Sequence, residues 1–241
     1  MRLDLPAPAA NAPLRHQLLW VRQQALAFAN EHSAVRFEPS ELADEIALAV
    51  NLTRFEPRHS GQPFVHRSAY LLAGDTFIST AAYPPLLAST CDYSESTLEI
   101  PFSGWTRYRI EGKDWFNCAG MQALYLPGQA FDVETSHFNG LLLNLKPSRL
   151  AATIGLVSRG TVPVELAERW VQQPLAIDLR DPRINGLQHG LEAACAQLAQ
   201  VNGPTLGAPF GAAALAVEQL AYTSSACMVL VAMESERRGA C

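Results

Sequence analysis

The feature that most constrains the fold is the spacing of apolar residues, which changes from helical to alternating and back again along the chain. From Leu14 the spacing is helical: Leu14, Leu18, Val21, Ala25 and Phe28 would line one face of a helix. A second helix is expected after Pro39, with Ser40 as its cap and Leu42, Ile46 and Val50 on one face. Between Arg54 and Leu145 the period falls to two. Turn signals divide that stretch into short strands near 64–72, 75–81, 86–91, 96–102, 105–110, 114–118, 122–126, 130–134 and 138–145. After Leu145 the helical period returns. Ser148 can cap a helix with Leu150, Ile154 and Val157 inward, and a short helix is expected over 164–171. Asp181-Pro182 gives a cap and a first-position proline to a helix with Ile184, Leu187, Leu191, Ala194 and Leu198 on one face. Gly203-Pro204 ends it, and a last helix over roughly 208–233 completes an αα-hairpin.

Many short strands with turns every 8–12 residues or so argue a sandwich or a barrel. The clearest local element is a hairpin over 105–116, in which a two-residue Glu111-Gly112 loop would set Tyr108 opposite Trp115 and Arg109 opposite Asp114. One is an aromatic pair and the other an ion pair, both favourable across strands. A chain of 241 residues can bury one large core, or a barrel with a helical appendage. The expected organisation is a helical extension over 1–60, a barrel over 61–147 and a helical region over 148–241.

Charge and chemistry exclude several functions. Eighteen basic residues against 23 acidic ones leave a net charge of −5, and Glu236-Arg237-Arg238 is too short to be a basic patch. Such a chain is not expected to grip nucleic acid by itself. The cysteines (91, 118, 195, 227 and 241) are odd in number and far apart, which suggests free thiols rather than a disulfide framework or a zinc site. None of the six histidines falls in H-E-x-x-H, no G-x-S-x-G elbow is present, and no glycine-rich phosphate loop follows a strand. His59 and His66 enter the barrel and are read as polar packing residues rather than ligands. The proline-broken start lacks a signal peptide's apolar core, and no apolar run approaches the ~20 residues of a membrane span. A cytoplasmic protein without membrane contact or cofactor is expected.

The segments Leu98-Glu-Ile-Pro-Phe-Ser-Gly104, Ile110-Glu-Gly112, Leu124-Tyr-Leu-Pro-Gly128 and Leu141-Leu-Leu-Asn-Leu-Lys-Pro147 occur in an order and at spacings that resemble the effector-binding domain of AraC-family transcription regulators. The resemblance covers about two-thirds of the chain, leaving out its first sixty residues. It implies a mainly β fold with α: a cupin-like double-stranded β-helix barrel with N-terminal helices and a C-terminal helical hairpin that often forms the family's dimer contact. Family members continue into a helix-turn-helix domain. This sequence reaches Cys241 without one, as a truncated form would, or a natural protein that has lost its DNA reader. The related metal-binding cupins need an H-x-H pair and a histidine three residues beyond the Pro-Gly turn. Phe131 stands there and no H-x-H occurs, so no metal is expected.

The candidate ligand residues are Glu99, Trp105, Phe131, Val133 and Leu142. Alternation turns Glu99 away from Leu98, Ile100 and Phe102, either to solvent or into the lumen, where it would hydrogen-bond a ligand. By comparison with sugar-binding members of the family, the strand after Pro127-Gly128 and the strand before Lys146-Pro147 line the pocket, at Phe131, Val133 and Leu142. All three are apolar, so a small apolar or aromatic effector is expected rather than a sugar. Trp105 would cover such a ligand or simply pack in the core.

The last helix is apolar or small on almost every side and needs cover on more than one. The barrel supplies one cover. A second copy across a two-fold axis, meeting Val217, Leu220, Ser224 and Met228, would supply the other, unless the chain's own N-terminal helices do. The reading is therefore the ligand-sensing and dimerisation part of an AraC-type regulator, reaching DNA only through a helix-turn-helix domain. The alternatives are a metal-independent cupin-like enzyme, a stand-alone small-molecule-binding protein, or a structural dimerisation module with a filled barrel.

Overall fold

A computed structural model describes residues 6–31, 33–202 and 211–239. Helix α1 (Leu14–Gln23) is followed by the short strand β1 (Val35–Arg36), helix α2 (Pro39–Ile46) and strand β2 (Leu52–Pro57). The strand-rich stretch then runs through β3 (His66–Ala73), β4 (Thr76–Tyr83), β5 (Leu86–Thr90), β6 (Ser96–Ser103) and β7 (Trp105–Ile110). It continues through β8 (Lys113–Cys118), β9 (Gln122–Leu126), β10 (Asp132–Thr135) and β11 (Phe138–Leu145). Helices α3 (Pro147–Val157) and α4 (Val164–Trp170), strand β12 (Leu175–Asp178) and helices α5 (Pro182–Asn202) and α6 (Ala212–Gly239) complete the chain. The break expected at Gly203-Pro204 and the start of the last helix at 208 lie outside the described residues.

All twelve strands join one antiparallel sheet in the order β1-β3-β4-β11-β6-β9-β8-β7-β10-β5-β2, with β12 added beside β9. The sheet curls so that β2, β5, β7 and β10 face β4, β6 and β11 across a lumen, giving the cupin-like barrel with helices that the sequence suggests. Strands β6 and β11 are buried on both faces. Leu98, Ile100, Leu141, Leu143 and Leu145 pack outward against α3, α5 and α6, whereas Glu99 and Leu142 point into the lumen. Two cores therefore share one layer of backbone, because successive residues of a strand face opposite sides.

The hairpin β7–β8 has the expected register, with Tyr108 opposite Trp115 and Arg109 opposite Asp114, and the latter pair is bonded at 3.0 Å. Its turn works because Glu111 and Gly112 both take positive φ, 48° and 77°, as the tight turn of a twisted hairpin demands. Asp181 caps α5 as expected, accepting a hydrogen bond from the Arg183 N–H at 2.9 Å.

Several expectations need correction. Helix α1 ends at Gln23, so Ala25 and Phe28 are not on it; the chain leaves the helix and drives Leu26, Ala27 and Phe28 into the core. Neither Ser40 nor Ser148 is a cap: Pro39 and Pro147 take the first helical position, which moves each cap back to Glu38 and Lys146. Strand β2 pairs with β5, so the barrel begins before residue 61. Helix α6 is long and apolar enough over Ala212–Arg237 to cross a membrane by length and composition, although more than half of that window is buried against the rest of the fold. Its apolar residues are interrupted by Glu218, Gln219 and Thr223, which is why no continuous run shows it.

The candidate dimer residues also need correction. Val217, Ser224 and Met228 are buried within the chain itself, Met228 completely, under α3, α5, β12 and β3. Cover for this helix comes from those elements rather than from α1 and α2. Of the four, Leu220 alone stays partly open. The outward stripe of α6 is Ala216, Gln219, Leu220, Thr223, Cys227 and Leu230.

Candidate functional site: the barrel lumen

Four of the five expected ligand residues meet in one place. Glu99, Phe131, Val133 and Leu142 line a cavity of about 60 Å³ in the barrel, together with Tyr83, Leu86, Ala88, Tyr108, Leu126 and Thr135. Ile46, Val50 and Leu52, from the end of α2 and the segment into β2, complete the lining. A cavity of this measure holds a few waters or a ligand of a few heavy atoms. Its wall is apolar and aromatic: Phe131 stands edge-on to Tyr108 with ring centroids 5.0 Å apart, and Tyr83 stacks on Phe138 behind the wall at 5.3 Å.

Glu99 is the polar centre of the cavity. Only 1% of it is exposed, and three neutral donors surround it. Thr106 Oγ1 and Asn117 Nδ2 both donate to Oε1, each at 2.6 Å, and the Tyr108 hydroxyl donates to Oε2. Burial pushes the Glu99 carboxyl above its ordinary range, while the three hydrogen bonds pull the other way. The Tyr108 phenol is pushed far up by burial and by the adjoining carboxylate, so it stays protonated and acts as a donor.

Trp105 lies elsewhere. Alternation along β7 sends Thr106, Tyr108 and Ile110 inward and Trp105, Arg107 and Arg109 outward. Trp105 instead lines an outer groove with Trp20, Gln24, Phe102 and His137, and the Arg58 guanidinium sits 5.8 Å from its ring centre. Sequence reasoning missed Tyr108, Thr106 and Asn117. The signal was present, because the hairpin register places Asn117 opposite Thr106, and charged Arg107 and Arg109 mark the outer face.

The place where a metal cupin carries histidine holds the Phe131 ring, 5.0 Å from that of Tyr108 and 6.4 Å from that of Tyr93. Among the described residues no group of three histidine, cysteine, aspartate or glutamate side chains is placed to hold a metal ion. His66 and His137 are buried outside the cavity lining. Burial, helped at His66 by Arg36, brings both imidazoles down to about 4.

No family model matches this sequence, and no curated protein matches it. Among solved structures, the AraC-like transcriptional activator CuxR is similar over 82% of this chain and 70% of that one, with a TM-score of 0.52 and 12% identity. A cupin-like protein from Thermotoga maritima matches over 34% of this chain and 71% of that one, at TM-score 0.29 and 11% identity. The EutQ protein of Clostridium difficile covers 34% of this chain and 69% of its own, at TM-score 0.29 and 8% identity. At these identities the likeness to CuxR is one of fold. Over that span the chain shares the fold of this AraC-like activator.

Proposed function

We propose that this chain is the sensing and self-associating part of an AraC-type transcription regulator, binding a small apolar or aromatic effector in the barrel lumen. The observation that carries the reading is the barrel cavity with one buried carboxylate in a mostly apolar wall, the composition expected of a small-molecule site. The shared fold of CuxR supports the regulatory class. Strands β6 and β11 give the effector a route to the helices, since they touch the cavity on one face and the packing of α3, α5 and α6 on the other. An effector acts only as far as it binds two arrangements of that packing differently. With a net charge of −5, the unit would leave DNA to a helix-turn-helix domain joined to it and work in the cytoplasm. Self-association would use the outward stripe of α6 around Leu220.

The test is thermal unfolding of the chain against a panel of small aliphatic and aromatic compounds, beside a Leu142→Trp variant with a filled lumen. At least one compound should raise the wild-type midpoint and leave the variant unmoved. Equal shifts in both proteins, or none in either, would rule the lumen out as the site. A second reading, a metal-independent cupin-like enzyme, draws on the Glu99–Tyr108 pair, since a buried carboxyl and phenol in one hydrogen bond can relay a proton. Turnover of a bound compound, abolished by Glu99→Gln, would select it over a regulator or a stand-alone binding protein.

A further inference from the structure

Glu99 sits in the lumen as a carboxylate without a counter-cation. Its three partners, Thr106, Tyr108 and Asn117, are neutral donors. Among the described residues no lysine, arginine or histidine pairs with it, and the cavity lining contains none of the three. The buried ion pairs of a protein normally compensate each other, and an uncompensated one is costly to keep.

The hydrogen-bond count points the same way. A carboxylate offers about four acceptor positions. Two bonds fall on Oε1 and one on Oε2, so the open position belongs to the oxygen that Tyr108 shares. In the same cluster, the buried Asn117 Oδ1 has no hydrogen-bond partner in the structure. The cluster is short of donors and short of positive charge. Aromatic rings from Phe55, Tyr83, Tyr108 and Phe131 line the same cavity, and ring faces attract cations.

Resting on the reading of the lumen as a ligand site, we infer that its ligand is a small organic ammonium, its nitrogen donating to Glu99 Oε2 and its short apolar body lying among Leu86, Val133 and Leu142. An anion would meet the repulsion of the buried carboxylate. A neutral alcohol would fill the open acceptor position and leave the charge uncompensated. A sugar would find too few polar partners. The volume of about 60 Å³ fits a body of a few carbons, and a larger one must displace lining side chains such as Ile46, Val50 and Leu52. An ammonium supplies the positive charge that the three neutral donors around Glu99 do not.

The experiment uses near-isosteric probes on the full chain: isobutylamine, isobutanol and isobutyrate, with benzylamine and benzyl alcohol as a larger pair, by titration calorimetry. The amines should bind at least tenfold more tightly than their alcohols, and isobutyrate should not bind. Glu99→Gln should erase the amine preference and keep the alcohol affinity, and Leu142→Trp should abolish both. Alcohols that bind as well as amines would overturn the ammonium inference and leave the ligand site standing. No binding by any probe would overturn both. Should Glu99→Gln fail to fold, the wild-type order of amine, alcohol and carboxylate, together with its loss in Leu142→Trp, decides the question.

Discussion

The buried ionisable residues carry opposite messages about pH. His66 is fully buried with no hydrogen-bond partner on either ring nitrogen, and His137 is almost as deep, with Nε2 2.7 Å from Gln17 Oε1. Both fold as neutral imidazoles held near 4, against an ordinary value of 6.5. Their lowered values cost nothing above pH 6.5. As pH falls from 6.5 towards 4 the unfolded chain takes up protons that the folded chain refuses, and stability drops by up to ~3 kcal/mol per histidine. Glu99 acts in the other sense: a raised carboxyl costs stability once pH climbs above the ordinary carboxylate range. Replacing His66 with phenylalanine removes a group that makes no hydrogen bond and packs beside Phe64. Urea denaturation should show His66→Phe more stable than wild type at pH 5 by about 1 kcal/mol or more, with a smaller difference at pH 7. An unchanged slope between pH 7 and pH 5 would mean that His66 is free to protonate in the folded state.

At the scale of elements, the barrel strands were legible because alternation and turn chemistry agreed. The hairpin over Glu111-Gly112 fixed its own register, and that register decided which residues reach the lumen. Elements whose ends are set by tertiary contacts were not legible. Nothing local stops α1 at Gln23; the segment beyond it is pulled inward by Phe28 and by the Ala27 N–H donating to Thr80 Oγ1 at 3.1 Å. Strand β12 is four residues long and exists because β9 offers it an edge. The face of α6 was misjudged because a helix apolar all round does not declare which stripe its own chain covers. The structure does declare it. The inner face is pinned by Glu218, which accepts from the Asp75 N–H at 2.8 Å and pairs with Arg149 at 2.7 Å.

Three substitutions, with Gly160→Ala as a control, test that assignment. Met228→Glu buries an unpaired charge and should cost several kcal/mol, roughly 3–5. Leu220→Glu, on the outward stripe, should leave the fold intact and shift sedimentation from dimer to monomer. Equal stability of the two variants would contradict the assignment of faces, and a monomeric wild-type chain at tens of micromolar would rule out the proposed dimer. Gly74 takes φ +60°, and a Cβ there would collide with the Glu218 carboxylate. Gly74→Ala should therefore cost about 1–3 kcal/mol by thermal or urea unfolding, well beyond the effect of Gly160→Ala, where φ is also positive but the space is open. Parity of the two would show that Glu218 does not hold the β3–β4 turn.

For the whole molecule, two cores share the backbone of β6 and β11. One holds the helices and the other holds a small cavity with a lone carboxylate. The resemblance in sequence foresaw the barrel and three residues of the cavity wall, Phe131, Val133 and Leu142, and strand alternation offered the lumen as one of two places for Glu99. It did not foresee Tyr108, Thr106 and Asn117, whose roles depend on how the curled sheet brings β7 and β8 beside β6. The central claim is that a small molecule enters this lumen. Methyl-resolved NMR of isoleucine-, leucine- and valine-labelled protein, titrated with isobutylamine, addresses it most directly. Saturable shifts confined to Ile46, Val50, Leu52, Leu86, Leu126, Val133 and Leu142, with Leu71 and the α4 residue Val164 unmoved, are the predicted result. Shifts centred on residues outside the cavity wall, or none at saturating probe, would contradict the account.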